Sequence, residues 1–261
     1  MEMKNILKAS KLSIGYAHKK GNYSIANDIS FELTKGKMVC LLGKNGIGKS
    51  TLLRTLSKMQ PPLNGSVFVD ETNLNSISET LLAQKMSVVL TERIPESQLT
   101  VFELVALGRQ PYTNWLGKLN DQDYKKIQYA LEQVGISDIQ SKKNYELSDG
   151  QLQKVMIARA LAQDTSLIIL DEPTAHLDIH HKIEVFNILK ALVKNTKKTV
   201  ILSTHEVNLA LKMADELWLM TENDFKSGTQ EELIALKELD KLFPQDLILF
   251  NPKSKQFEIN N

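Results

Sequence analysis

The hydrophobic and polar positions of this chain follow two different patterns. In the stretch DISFELTKG, Ile29, Phe31 and Leu33 alternate with polar residues, which is typical of a half-buried antiparallel strand. Three later runs are apolar at almost every position: MVCLL (38–42), SLIIL (166–170) and TVILS (199–203). Such runs are typical of strands in a parallel sheet that helices cover on both faces. The pattern therefore predicts antiparallel strands near the N-terminus, followed by a buried parallel sheet.

Helical periodicity fills the segments between these runs. KSTLLRTLSKM follows the first run and KIEVFNILKALVKN precedes the third, each with the spacing of an amphipathic helix. From about residue 92 to residue 163 the strand signal disappears, and TVFELVALG, DQDYKKIQYALEQVG and YELSDGQLQKVMIARAL have helical spacing. We therefore predict one α/β domain over residues 1–261, with residues 1–91 and 164–261 as its core and residues 92–163 as an inserted helical subdomain.

The stretch YELSDGQLQKVMIARAL (145–161) has the start signal of a capped helix. Ser148 is a good N-cap, and Gln151 lies three residues later, where a capping box requires Glu or Gln. Capping does not explain Gly150, because glycine weakens the first turn of a helix. Gly150 therefore needs a second explanation. It lies at the start of a helix, where the free N–H groups point outward and where a residue without a side chain leaves the backbone accessible.

The stretch GKNGIGKST begins at Gly43, directly after a predicted strand and before a predicted helix. It matches the phosphate-binding pattern G-x-x-x-x-G-K-[ST], in which backbone N–H groups surround phosphate oxygens at a helix N-terminus. A random match in a chain of this length has a chance of roughly 1%. We expect Lys49 to reach the β- and γ-phosphates and the Ser50 hydroxyl to hold Mg²⁺. The expected nucleotide-binding residues of this loop are Gly43, Lys44, Asn45, Gly46, Ile47, Gly48, Lys49, Ser50 and Thr51.

The second buried run continues into DEP and so ends in two carboxylates. Asp171, at the end of such a strand, is the expected Mg²⁺ partner. Glu172 would then orient or deprotonate the attacking water, because hydrolysis requires a base beside the γ-phosphate. A strand that ends in Asp-Glu-Pro is common by itself, but together with the glycine loop it indicates nucleotide hydrolysis.

With these two motifs in place, LSDGQ (147–151) resembles the signature motif of the ATP-binding-cassette (ABC) ATPases. TAHLD (174–178) resembles the family loop that follows Glu172, and STHE places His205 at the family's switch histidine. Tyr16 occupies the position of the aromatic residue that stacks on adenine. The resemblance covers nearly the whole chain. It implies a P-loop NTPase core with a mainly parallel sheet, an N-terminal antiparallel β subdomain and an inserted α-helical subdomain.

The resemblance also implies that the chain hydrolyses ATP and that this hydrolysis is coupled to transmembrane transport. In the family, two nucleotide-binding domains lie head to tail and sandwich each ATP. Ser148, Gly150 and Gln151 would contact the ATP held by the second copy, and glycine would permit the close approach of its backbone. The implied cofactors are ATP and Mg²⁺. The implied catalytic residues are Glu172, His205 and Lys49, and the implied magnesium-binding residues are Ser50 and Asp171.

One position departs from the family. A glutamine usually stands where the core meets the helical insertion, and there it touches Mg²⁺ or the attacking water and relays to the permease. In MSVVLTERIPESQ, Thr91 aligns best with it. Thr91 could still offer a hydroxyl, Glu92 or Gln98 could substitute after a loop shift, or the contact could be dispensable. The sequence leaves these alternatives open.

The segment LTVFELVALGRQPYTNWLGKL (99–119) resembles the corresponding segment of the ATPases of importers for ferric siderophores, haem and cobalamin. The C-terminal tail LDKLFPQDLILFNPKSKQFEI (239–259) resembles the C-terminal extension of the same subfamily. In the family a groove, here residues 91–115, receives a cytoplasmic helix of the permease. We expect apolar groove residues, with Arg109 capping a helix C-terminus or pairing with a carboxylate. The expected apolar residues are Val101, Leu104, Val105 and Trp115. The alternatives are a soluble ABC-type ATPase in translation or DNA repair, and an exporter ATPase.

Composition narrows the expected partners. The net charge is +1, from 32 basic and 31 acidic residues, which argues against a nucleic-acid binder. The single Cys40 lies in an apolar run, so a disulfide framework is excluded and a reduced cytosolic setting fits. No apolar run approaches the roughly 18 residues that span a bilayer. We therefore expect a peripheral location at the cytoplasmic face of the inner membrane, through permease subunits and, indirectly, a substrate-binding protein.

His176, His180 and His181 raise the possibility of a metal site beside the TAHLD loop. Zinc sites usually bring more convergent ligands and supporting hydrogen bonds than three loop histidines provide. We therefore expect no metal at these histidines.

Overall fold

The computed structural model describes residues 4–18, 21–91, 95–222, 224–244 and 246–260. Its strands are β1 Asn5–Tyr16, β2 Tyr23–Thr34, β3 Met38–Leu42, β4 Asn64–Val69, β5 Thr72–Asn73, β6 Met86–Val89, β7 Leu167–Leu170, β8 Thr199–Ser203, β9 Glu216–Met220, β10 Phe225–Gly228, β11 Ile248–Asn251 and β12 Gln256–Ile259. Its α-helices are α1 Lys49–Leu56, α2 Glu79–Lys85, α3 Val101–Ala106, α4 Asp121–Gln133, α5 Asp149–Ala162, α6 Ile179–Thr196, α7 Val207–Met213 and α8 Gln230–Ala235.

An antiparallel sheet with the order β2-β1-β4-β5 forms the N-terminal part of the fold. In β2, Ile29, Phe31 and Leu33 are buried while the residues between them are exposed, as the alternating pattern predicts. These side chains pack against α1 and one face of the central sheet, where the ring centroid of Phe31 lies 4.1 Å from that of Trp218. The antiparallel sheet therefore forms one half of the core.

The central sheet has the order β10-β9-β3-β8-β7-β6. Its strands are parallel except β10, which pairs antiparallel with β9. Every residue of β3, β7 and β8 is buried, which confirms the predicted parallel core. The sequence pattern did not single out β6 or β9. Strand β6 contains the buried Ser87, whose hydroxyl is hydrogen-bonded to Thr165. Strand β9 contains the buried Glu216, whose carboxylate accepts a hydrogen bond from Lys37.

A helical segment lies between β6 and β7. Helices α3, α4 and α5 pack against one another there, and the described residues from 95 to 163 contain an isolated bridge between Thr100 and Lys143 but no strand. This arrangement agrees with the predicted inserted helical subdomain. The same segment contains 3₁₀ helices at Leu107–Tyr112, Ser137–Ile139 and Asn144–Glu146, and another at Leu74–Ser76 precedes α2.

The prediction that the apolar residues of segment 91–115 line a groove is partly wrong. Val101, Leu104 and Val105 are at most 1% exposed, because they form the interior that α3 shares with α4 and α5. Of the expected apolar groove residues, Trp115 alone is on the surface, 91% exposed. Arg109 does pair with a carboxylate and cap a helix C-terminus, but both partners belong to its own chain.

The C-terminal part packs with α6 and α7 on the other face of the central sheet, where Leu233 and Leu239 join the second half of the core. Helix α8, a 3₁₀ helix at Leu239–Lys241 and the β11-β12 hairpin follow β10, and Phe250 packs near Phe257 with ring centroids 5.2 Å apart. Across the described parts of the chain, none of the helices combines the length and the apolarity needed to cross a membrane.

Candidate functional site

The glycine loop connects the end of β3 to the start of α1, as predicted. Gly48 precedes α1 with φ of 109°, a left-handed backbone that favours glycine. A Cβ at Gly48 would lie 2.4 Å from Cγ2 of Ile25, so contact with β2 also excludes a side chain. The loop thus presents backbone N–H groups at the N-terminus of α1, which suits a phosphate.

Lys49 is almost completely buried beneath this loop. Its Nζ donates to the carbonyl oxygens of Gly43 at 3.0 Å and Lys44 at 3.3 Å, so the side chain runs back along the loop. Burial lowers the pKa of Lys49, and the nearby Glu172 and Asp171 carboxylates oppose that shift. The result is a cation held in a poorly solvated place, where an anionic ligand would be strongly attracted.

Asp171 lies directly after β7 and is 3% exposed. Its Oδ1 accepts hydrogen bonds from the hydroxyls of Ser50 at 3.0 Å and Ser203 at 2.7 Å. Ser50 and Asp171 therefore bring two hard oxygen donors together beside the phosphate loop. This donor set fits Mg²⁺, which binds through one or two protein oxygens and completes its shell with phosphates and water.

Glu172 adopts a left-handed backbone with φ of 49°, which is unusual for a residue other than glycine. Its N–H donates to the Ser203 hydroxyl at 2.8 Å, and its Oε1 lies 2.7 Å from Nε2 of His205. Nζ of Lys49 lies 3.8 Å from the same Glu172 oxygen and 3.4 Å from the same His205 nitrogen. The three predicted catalytic side chains therefore meet at one point.

Ser203 is the residue that the sequence reasoning missed. It ends β8, and the STHE motif drew attention to His205 alone. The usable signal was positional: β7 and β8 are parallel neighbours, so their carboxyl ends meet at one edge of the sheet. A hydroxyl at the end of β8 is thereby placed against the carboxylate that follows β7.

A cleft of about 510 Å³ opens over the glycine loop. Tyr16, 45% exposed, stands at its wall with its hydroxyl 3.5 Å from that of Thr51, which suits a ring that stacks on a base. Four further residues that line the cleft belong to no motif and were not predicted: Tyr23, Ser24, Ile25 and Glu222. Residues 147–151 do not line this cleft, so one chain does not bring the LSDGQ stretch to its own glycine loop.

The N-terminus of α5 has the predicted capping box. The N–H of Gln151 donates to the Ser148 hydroxyl at 3.2 Å, and the N–H of Ser148 donates to the Gln151 side chain at 3.1 Å. Gly150 is buried, and a Cβ there would lie 2.6 Å from a ring carbon of His181 in the same chain. The structure therefore adds an intrachain reason for this glycine.

Thr91 donates its hydroxyl to the carbonyl oxygen of Asp171 at 2.9 Å. The position that departs from the family is thereby tied to the backbone that carries the two carboxylates. Glu92 lies outside the described residues, and Gln98 is exposed.

The predicted absence of a histidine metal site stays a prediction. Side-chain ligand atoms of Asp178, His180 and His181 do lie within 4.8 Å of one another, whereas His176 is not in this group. The Asp178 carboxylate is already used: it caps α6 through the N–H of His181 and lies 2.9 Å from Nδ1 of that residue. This cap accounts for the cluster without a metal.

The fold and the loop define a class: a P-loop ATP-binding domain with a strand-end carboxylate pair. The ABC transporter family profile matches residues 26–175. An uncharacterized ABC transporter ATP-binding protein of Methanocaldococcus jannaschii is 36% identical over 98% of this chain and 87% of its own length. The iron(3+)-hydroxamate import ATP-binding protein of Bacillus subtilis is 34% identical over 97% of this chain and 93% of its own.

The chain belongs to the ABC transporter family and is an ABC ATPase. An inward-facing structure of a metal-chelate type ABC transporter matches it with a TM-score of 0.79 and 27% identity, over 97% of this chain and 95% of that one. These relatives confirm the predicted family, the ATPase class and the resemblance to iron-chelate importers. The names of these two relatives refer to an iron(3+) hydroxamate and to a metal chelate.

Proposed function

We propose that this chain is the ATP-hydrolysing subunit of an importer for an iron chelate. The observation that carries the proposal is the meeting of Lys49, Glu172 and His205 beside the glycine loop. The import class comes from the relatives, because the described site has chemistry for a nucleotide but none specific to a chelate. A permease and an external binding protein would select the chelate.

The cleft accounts for the chemistry of hydrolysis. Ser50 and Asp171 would hold Mg²⁺, which would supply positive charge to the phosphate oxygens of ATP. Lys49 adds a fixed charge on the same side. Glu172 accepts a proton from water as the water oxygen bonds to the γ-phosphorus and the bond to the β–γ bridging oxygen breaks, giving ADP and phosphate. His205 holds the Glu172 carboxylate toward the nucleotide and senses the γ-phosphate.

Two copies would complete two sites. Ser148, Gly150 and Gln151 stand at the N-terminus of α5, away from the cleft of their own chain. In a head-to-tail pair they would close over the ATP in the cleft of the second copy, with the helix dipole directed at its γ-phosphate. We further propose that residues 92–163 act as the helical subdomain that delivers this turn.

Permease subunits would hold the pair at the cytoplasmic face of the inner membrane. Thr91 lies at the junction of β6 and the helical segment, and its hydroxyl is bonded to the Asp171 carbonyl. A movement imposed on Thr91 by a permease would therefore reach the residues that bind Mg²⁺ and activate water. Exposed Trp115 offers the permease an apolar contact on the same segment.

The test of this function is hydrolysis by Glu172→Gln. The variant should bind ATP as the wild type does and lose most turnover, because only the base is changed. Glu206→Gln is the matched control: this carboxylate follows His205 in the sequence, but it pairs with Lys182 and does not line the cleft. Transport is then tested by uptake of a ⁵⁵Fe-labelled hydroxamate chelate in cells that carry each variant. Equal steady-state ATPase in Glu172→Gln and wild type would contradict the assignment.

A further inference from the structure

The first turn of α5 packs against the first turn of α6. A Cβ on Gly150 would lie 2.6 Å from Cδ2 of His181 and 3.0 Å from its Cγ and Nε2. The imidazole therefore occupies the space that a side chain at residue 150 would fill. Cβ contacts below 3.0 Å are essentially never seen in proteins, so the imidazole or one of the two helices would have to shift.

The imidazole is fixed from its other side by α6 itself. Nδ1 of His181 lies 2.9 Å from both carboxylate oxygens of Asp178, which caps the helix through the N–H of His181. These hydrogen bonds lower the pKa of Asp178, and the bond from the backbone N–H of His181 has the largest effect. One turn further along, Lys154 of α5 forms an ion pair with Glu184 of α6. The ring is therefore held between the Asp178 carboxylate and the Gly150 backbone, although its side chain is 37% exposed.

The two helices carry different parts of the site. Helix α5 begins with the turn that holds Ser148 and Gly150. Helix α6 begins seven residues after Glu172, at the end of the loop over residues 171–178, here called the catalytic loop. We propose that His181 is a positioning residue: it sets where the first turn of α5 stands relative to the catalytic loop, and within the chain it disfavours any side chain at residue 150. The role rests on the nucleotide sandwich proposed above, in which this turn meets the ATP of the second copy.

The first experiment asks whether His181 dictates the glycine, and it needs no nucleotide. Gly150→Ala should lower the melting temperature in the wild-type background, because its Cβ meets the ring. In a His181→Ala background the same change should raise the melting temperature, because alanine stabilises a helix more than glycine does. His180→Ala is the matched control background, in which Gly150→Ala should remain destabilising. The same sign in the His181→Ala and wild-type backgrounds would overturn the inference.

The second experiment asks whether the contact matters for closure. In the Glu172→Gln background, His181→Ala should leave binding of a fluorescent ATP analogue to the single chain unchanged. It should raise the ATP concentration for half-maximal dimerisation about tenfold, the size of effect expected for coupled neighbours. His181→Asn, which retains an N–H donor toward Asp178, should recover part of this loss, and His180→Ala should show none of it.

The outcomes separate this role from the proposed function. A Glu172→Gln chain that never dimerises with ATP and Mg²⁺ would contradict the sandwich, and the positioning role with it. A parent chain that dimerises, with an unchanged midpoint in His181→Ala, would overturn the positioning role alone.

Discussion

Ser203→Ala tests how the catalytic loop is held. The Ser203 hydroxyl donates to Oδ1 of Asp171 at 2.7 Å and accepts the N–H of Glu172 at 2.8 Å. Alanine removes both bonds, although Ser50 still donates to the same Asp171 oxygen. Leaving one buried donor or acceptor unpaired costs about 1–3 kcal/mol. We therefore expect the free energy of unfolding to fall by about that amount.

The effect on activity should exceed the effect on stability. In the wild type, the hydrogen bond from the Glu172 N–H to the Ser203 hydroxyl helps to hold Glu172 in its left-handed backbone conformation, and Ser203→Ala removes this bond. Removing a group that orients a metal ligand typically costs about 10–100-fold in activity or metal affinity. Steady-state ATPase should therefore show a fall of that order in kcat and a higher Mg²⁺ requirement. The nucleotide affinity should stay near that of the wild type, because the glycine loop is untouched.

Thr165→Val is the matched control for this experiment. Its buried hydroxyl also makes two hydrogen bonds, to Ser87 and to the carbonyl oxygen of Leu167, but at the opposite end of β7. Urea unfolding should show a comparable loss of stability, and kcat should be that of the wild type. Equal kcat values in Ser203→Ala and Thr165→Val would refute the assigned role of Ser203.

Three further changes have defined outcomes. Arg109→Ala leaves the buried Asp123 carboxylate without its ion pair and should cost about 3–5 kcal/mol in urea unfolding. Lys8→Ala, which removes an exposed ion pair with Glu32, is the control and should cost much less; a loss in Arg109→Ala no larger than in this control would contradict the role of the buried pair. Thr91→Ala should lower permease-stimulated ATPase while ATP affinity is unchanged, and Thr91→Gln should be tolerated; full stimulation and transport in Thr91→Ala would place the relay elsewhere. Tyr16→Ala should weaken binding of a fluorescent ATP analogue by about 5–100-fold through lost base stacking, with Tyr16→Phe near wild type; equal affinities would exclude stacking.

The strands and the glycine loop could be predicted because their signals are local. The five apolar residues of β3 are consecutive, and the loop that follows it is a contiguous motif whose backbone conformation its own glycines permit. A buried polar residue shortens the apolar run of β6 and of β9, and its hydrogen-bond partner comes from elsewhere in the chain, so the sequence pattern did not single out these strands.

The predictions that were wrong, and the site residues that were not predicted, depend on contacts between segments that are far apart in the sequence. Val101 and its apolar neighbours in α3 have the same spacing whether they meet a partner or their own core, and the facing helices decide between the two. The pairing of Arg109 with Asp123 depends on how α4 packs. Ser203 and His181 likewise acquire their roles only when parallel strands or helix ends meet, which a single sequence does not display.

The most direct test of the central claim is the mass of the Glu172→Gln chain in solution, measured by sedimentation with and without ATP and Mg²⁺. The account predicts a dimer that forms only with ATP and Mg²⁺ and holds one nucleotide per chain. Ser148→Arg in that background should block the dimer while the single chain still binds ATP. A monomer at saturating ATP, or a Ser148→Arg chain that dimerises equally well, would contradict the account.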